Sequence, residues 1–143
     1  MEFMALDDRM LVSGQIQASD MAEMAQKGIT TIVNNRPDGE EEGQPTSTLL
    51  EMAAREAGLD YLHLPITAEF SEDKIAAMLN ALETSPGLVL AFCKSGTRSA
   101  YLWALARARW GADVDDMILR ASYAGYNIRP LMPWLKPKKG EDA

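Results

Sequence analysis

The chain has 143 residues, 47% of them hydrophobic and 24% charged, with ten Gly and seven Pro, which is the composition of a folded globular chain and excludes disordered, collagenous and repeat classes. A chain of this length buries roughly 68–70% of its unfolded surface, so residues 1–143 read as one domain that needs no disulfide or metal to fold. Twenty-one acidic against 14 basic residues argue against nucleic-acid and anionic-membrane partners, and one Cys with one His exclude a structural zinc site and an intrachain disulfide.

The opening MEFMALDDRM lacks a basic flank and a sustained apolar region, and no run approaches ~18 uninterrupted apolar residues; the expectation is a cytoplasmic chain without cofactor. Apolar runs alternate with 3.6-periodic stretches, the pattern of an α/β domain. Met10–Ser13 is the first expected strand, followed by a helix that Ser19 caps and Gly28 stops. Ile29–Asn34 is a β-branched strand, and Asn35-Arg36-Pro37-Asp38-Gly39 after it is dense turn chemistry. Glu40, Glu41 and Glu42 continue as an acidic run, expected to face outward or gate access. Thr48-x-x-Glu51 reads as a capping box opening a helix that ends at Gly58.

Tyr61–Ile66 is the next strand. Ser71 then caps a helix whose Ile75, Met78, Leu79 and Leu82 share one face, with Glu72 and Asp73 supplying helix N-terminal charge. Leu88–Phe92 is a continuous apolar run suited to a central strand covered on both faces. The segment Ser99–Trp110 is a helix apolar on nearly every face, Asp113 caps a further helix to about Ala124, and a last apolar segment holds Leu131, Met132, Trp134 and Leu135. The tail 136–143 is expected to fray. His63, in a strand with no second ligand near it, receives no role.

Between that central strand and the apolar helix lies Cys93-Lys94-Ser95-Gly96-Thr97-Arg98. Turn amides and the positive end of a helix dipole stabilise thiolate at such a place. Arg98 can fold back as a bidentate oxyanion ligand, and Gly96 permits the left-handed backbone of an inward-facing amide nest formed by Lys94, Ser95, Gly96 and Thr97. Ser99 is placed to donate to the Cys93 sulfur when that sulfur must leave. The bland alternative, an inert buried thiol in a plain turn, fits the Cys alone but not these offsets together.

The stretches Val89–Ala100 and Asp113–Leu131 resemble the Cys-dependent dual-specificity phosphatases. Over nearly the whole chain, Ser13-Gly14-Gln15, Asn34–Glu40 and Gln44-Pro45 resemble the phosphatase-like domain of the beta-lactamase hydrolase-like proteins. The resemblance implies a three-layer α/β fold around a short, mostly parallel sheet flanked by helices. It also implies Cys93 as nucleophile through a cysteinyl-phosphate intermediate, Arg98 as oxyanion ligand and a small anionic phosphoester as substrate.

Three features depart from the phosphatase pattern: Phe92 stands where a His precedes the Cys, four residues rather than five separate Cys93 from Arg98, and Ala68 falls where a general-acid Asp is expected. Glu69, just past a strand end, is the candidate replacement acid. Arg36, after another strand end, either lines the pocket or pairs with its acidic neighbours. The Cys-x-x-Gly-x-Arg loop matches the length found in rhodanese-type sulfurtransferases, so a persulfide carried on Cys93 with a sulfane sulfur donor as substrate is the alternative. A non-catalytic module binding phosphorylated or sulfated ligands is the second alternative, since a binder has no need of thiolate.

Overall fold

The computed structural model describes residues 2–135; the expected tail at 136–143 lies outside the described residues. The first strand, β1 (Met4–Ala5), went unanticipated because two exposed residues carry no periodic signal. It pairs antiparallel with β2 (Met10–Ser13), and β3 (Ile29–Asn34), β4 (Asp60–His63) and β5 (Leu88–Phe92) complete a five-stranded sheet of order β1-β2-β5-β3-β4. All pairings except β1 with β2 are parallel, as the three-layer, mostly parallel fold class requires.

Side chains alternate along each strand, so one sheet surface can be buried on both sides. Val89 and Ala91 of β5 enter a core with Trp103, Met78 and Ile118, whereas Leu90 and Phe92 enter the opposite core with Ile16, Met24 and Leu50. The first layer therefore holds α3 (Glu72–Thr84), α4 (Thr97–Arg109), α5 (Val114–Tyr123) and α6 (Met132–Leu135); the second holds α1 (Met21–Gln26) and α2 (Ser47–Glu56). Among the described residues, no helix is long and apolar enough to cross a membrane.

Several boundaries differ from the sequence reading for local reasons. The Thr48 capping box is not used; Thr46 is the N-cap, its hydroxyl accepting from the Leu49 N–H at 3.2 Å. Ser19 lies inside a 3-10 turn over Ala18–Asp20, and its neighbour Asp20 is the N-cap of α1. The strand at Tyr61 begins one residue earlier and ends at His63, because the Leu64 and Ile66 N–H groups turn to the Asn34 and Asn35 carbonyls at 2.8 and 2.9 Å. Ser71 and Asp113 are N-caps as expected, with Asp113 accepting from the Asp116 N–H. Helix α4 starts two residues before Ser99, at Thr97, because Gly96 in a left-handed conformation begins it.

Register brings the strand ends into one row: Ser13 and Asn34 both lie opposite Phe92, and Asn34 also lies opposite His63. The segments after these four residues consequently meet at one sheet edge. Asn35 ties them. Its N–H donates to the Phe92 carbonyl at 2.8 Å, its carbonyl accepts from the Ile66 N–H, its Nδ2 donates to the Leu64 carbonyl at 2.9 Å, and its Oδ1 accepts from the Ser99 hydroxyl at 2.7 Å. At the far end of α4, the Asp7 carboxylate accepts from Trp103 Nε1 and Arg107 Nε at 2.7 and 2.8 Å. Burial disfavours charge on Asp7, but these bonds outweigh it and hold the carboxyl below its ordinary value.

Replacing Asn35 with Ala leaves the Leu64 carbonyl and Ser99 hydroxyl buried without these partners. At about 1–3 kcal/mol for each orphaned group, the expected loss is about 2–6 kcal/mol, read as a lowered urea midpoint. An unchanged midpoint would show that the clamp contributes no stability.

Candidate active site

Cys93 follows the last residue of β5, and its Sγ accepts the Gly96 N–H at 3.1 Å. Gly96 has φ +98°, a conformation that strains any residue with a Cβ, and space is short as well: an added Cβ would lie 2.8 Å from the Tyr126 Cζ. The Tyr126 hydroxyl donates to the Ser95 carbonyl at 3.1 Å, so the ring is pressed against the outer side of the loop. Burial raises the Tyr126 hydroxyl pKa, and negative charge on Cys93 adds to the shift. On the inner side, an added Cβ at Gly14 would stand 2.9 Å from the Lys94 carbonyl, and that close approach lets the Gln15 N–H reach the same oxygen at 3.2 Å.

Arg98, on the first turn of α4, reaches back over this loop. Its Nη1 and Nη2 donate to the two Glu40 carboxylate oxygens at 2.8 and 2.9 Å, and Nη1 also donates to the Ile66 carbonyl at 2.9 Å. The Glu40 Oε1 accepts a further bond from Arg36 Nε at 2.9 Å. Arg36 is itself buried, with Nη1 on Gln15 Oε1 and Nη2 on Glu41 Oε1 at 2.9 and 2.7 Å. Bonds from Arg98, reinforced by Arg36 and opposed by burial, push the Glu40 carboxyl down from 4.5 to about 2. Arg98 is correspondingly raised, first by Glu40, against burial, and also by negative charge at Cys93. Arg36 is raised although burial opposes it, because its bonds to Glu41 and Glu40 prevail.

Cys93 and Gly96 are thus brought together, and the sulfur is buried: Cys93 is 1% exposed and accepts the Gly96 N–H. The hydrogen bonds of the Arg98 guanidinium go to Glu40 and the Ile66 carbonyl. The acidic run remains exposed, as expected, but two of its members are paired: Glu40 and Glu41 bond two arginines, and Glu41 also lies 3.5 Å from the Lys94 ammonium. Two unpaired guanidinium groups at a strand edge attract carboxylates more strongly than solvent does.

The Ser99 hydroxyl donates to Asn35 rather than to Cys93, so it fastens α4 to the strand ends. Arg36 pairs with its acidic neighbours and does not open onto a pocket. Ser95 and Thr97 bond each other at 3.1 Å on the exposed shoulder of the loop. Glu69 lines a separate groove of about 1030 Å³ with Phe70, Tyr101, Arg109 and Trp134. His63 Nε2 meets the Arg36 carbonyl at 3.0 Å.

Sequence reasoning missed Asn35, Glu40 and Tyr126 as contributors to the site. The strand-end position of Asn35 and the glutamate four residues from Arg36 were visible signals, whereas nothing local connects Tyr126 with Gly96. Among the described residues, no group of three His, Cys, Asp or Glu is placed to hold a metal.

Gly96→Ala is expected to push the loop off Tyr126 and to cost about 1–2 kcal/mol from left-handed strain alone. The urea midpoint should fall accordingly, and an unchanged midpoint in this variant would overturn the account of this glycine. Glu40 makes a second prediction. Its depressed carboxyl contributes stability fully above the unfolded value of 4.5 and loses it as pH falls through about 2. The stability gap between wild type and Glu40→Gln should therefore be constant at neutral pH and close between those two values; a gap that ignores pH would contradict the ion-pair account.

Residues 2–110 match the family described as the beta-lactamase hydrolase-like protein, phosphatase-like domain. A beta-lactamase hydrolase-like protein of Xylella fastidiosa (strain Temecula1) is 36% identical over 138 residues, covering 95% of this chain and 32% of that relative; the chain therefore spans about a third of the relative's length. The crystal structure of a candidate phosphatase from Neisseria meningitidis Z2491 is 35% identical, with a TM-score of 0.82, covering 95% of this chain and 97% of that one. More distantly, PTPMT1 in complex with PI(5)P shares the fold at 13% identity and a TM-score of 0.74, covering 99% of each chain. On the family match over residues 2–110 and the likeness to the Xylella relative, the chain belongs to the phosphatase-like domain family of the beta-lactamase hydrolase-like proteins.

Proposed function

We propose that the chain is a cysteine-dependent phosphatase acting on a small anionic phosphoester, with Cys93 as nucleophile. The observation that carries this reading is a cysteine at a strand end whose sulfur accepts the Gly96 N–H, with the Arg98 guanidinium held at the same strand ends by Glu40 and the Ile66 carbonyl. Loop amides and a guanidinium both suit an oxyanion bound at the loop. The phosphatase-like family and the complex of PTPMT1 with PI(5)P support an anionic substrate.

In the proposed reaction the Cys93 thiolate forms an S–P bond as the P–O bond to the leaving group breaks. Arg98 and the amides of residues 94–97 hold the equatorial oxygens. The leaving oxygen takes a proton from solvent, since Glu69 lines a separate groove. Water then attacks phosphorus, the S–P bond breaks, phosphate leaves and the thiolate is restored. With the sulfur buried at rest, substrate entry requires the loop and guanidinium to open around it.

Wild type should hydrolyse p-nitrophenyl phosphate and Cys93→Ser should not, while thiosulfate should add no mass to either. A Cys93-dependent gain of one sulfur in the intact mass, without phosphate release, would overturn the phosphatase reading in favour of sulfur transfer. Equal phosphate release by Cys93→Ser would remove the nucleophile.

A further inference from the structure

A guanidinium has five N–H donors, and their directions are set by its plane. In Arg98, three are committed: the end-on pair to Glu40, and the outer Nη1 hydrogen to the Ile66 carbonyl. The two that remain, Nε–H and the second Nη2–H, lie parallel on one side edge, the edge that can grip a tetrahedral oxyanion with two bonds.

We infer that Glu40 is the positioning residue of this site, holding the far edge of Arg98 so that its Nε/Nη2 edge is preset toward the oxyanion above Cys93. The inference rests on the reading of the Cys93 loop as an oxyanion site. Glu40 can act in this way because it is held in turn. Its Oε1 is shared with Arg36 Nε, and Arg36 is buried and bonded to Gln15 and Glu41. Gln15 follows the Gly14 contact with the loop, and Arg36 follows Asn35, so the support runs from two strand ends through Arg36 and Glu40 to Arg98.

The opposite role is also chemically explicit. A carboxylate on a guanidinium fork resembles the substrate anion, and if Glu40 occupied the anion's own seat it would be a plug that substrate must displace. The two roles predict opposite signs. A plug uses the edge that substrate needs; here Glu40 uses the other one.

The test measures orthophosphate binding by titration calorimetry, beside p-nitrophenyl phosphate turnover, in wild type, Glu40→Gln and Glu40→Asp. Gln keeps the shape but turns an NH2 group toward the arginines; Asp keeps the charge but is too short to span Arg98 and Arg36 together. Phosphate affinity should fall about tenfold in Gln and less in Asp, with kcat/KM falling up to about a hundredfold. A purely structural role would lower the melting temperature and leave phosphate affinity of the folded variant unchanged. Affinity equal to or tighter than wild type in either folded variant would overturn the inference, and Asp alone decides if Gln does not fold. Wild type that binds phosphate without turning over substrate would sink the phosphatase reading and leave the positioning role testable by affinity; wild type that does not bind phosphate sinks both.

Discussion

Asn35 is the junction on which the site depends. Parallel strands end in a row, but a row of ends does not hold its loops at fixed heights. By bonding Phe92, Leu64, Ile66 and Ser99 at once, one buried amide sets three strand ends and the first turn of α4 to a common reference. The loop from Cys93 to Arg98 is strung between two of those fixed points, so its four intervening residues have little freedom. A side chain with donor and acceptor at opposite corners is needed there, which Asp, with acceptors only when ionised, does not provide.

The charge distribution follows a related logic. A chain with formal net charge −7 is a poor attractor of anions at long range, and solvent screening confines such fields to about 10 Å in any case. What matters at the loop is the local order of charge: Arg36, Glu40 and Arg98 alternate in sign, each bonded to the next. The acidic residues here are bound to neighbouring cations and do not stand as a free negative field.

Much of this was legible beforehand. The central strand Leu88–Phe92, the amphipathic helix after Ser71 and the Cys93–Arg98 loop all carry strong local signals: an unbroken apolar run, a regular stripe, a glycine between a strand and a helix. The long-range arithmetic was not legible. That Glu40 meets Arg98, 58 positions away, or that Ser99 meets Asn35, depends on parallel register, and register is set by the sum of packing on both sheet faces rather than by any short pattern. The depth of Cys93 is hidden for the same reason: spacing says a thiol begins the loop but not which neighbours close over it.

The family model ends at residue 110, yet Tyr126 braces the Cys93 loop from beyond that point, Leu131 and Leu135 sit in the same core as α4, and the likeness to the Xylella relative runs over 138 residues. The border of the family model is therefore not the border of the folded unit. A fragment cut at residue 110 would lose the ring that abuts the loop and bare one flank of its most apolar helix.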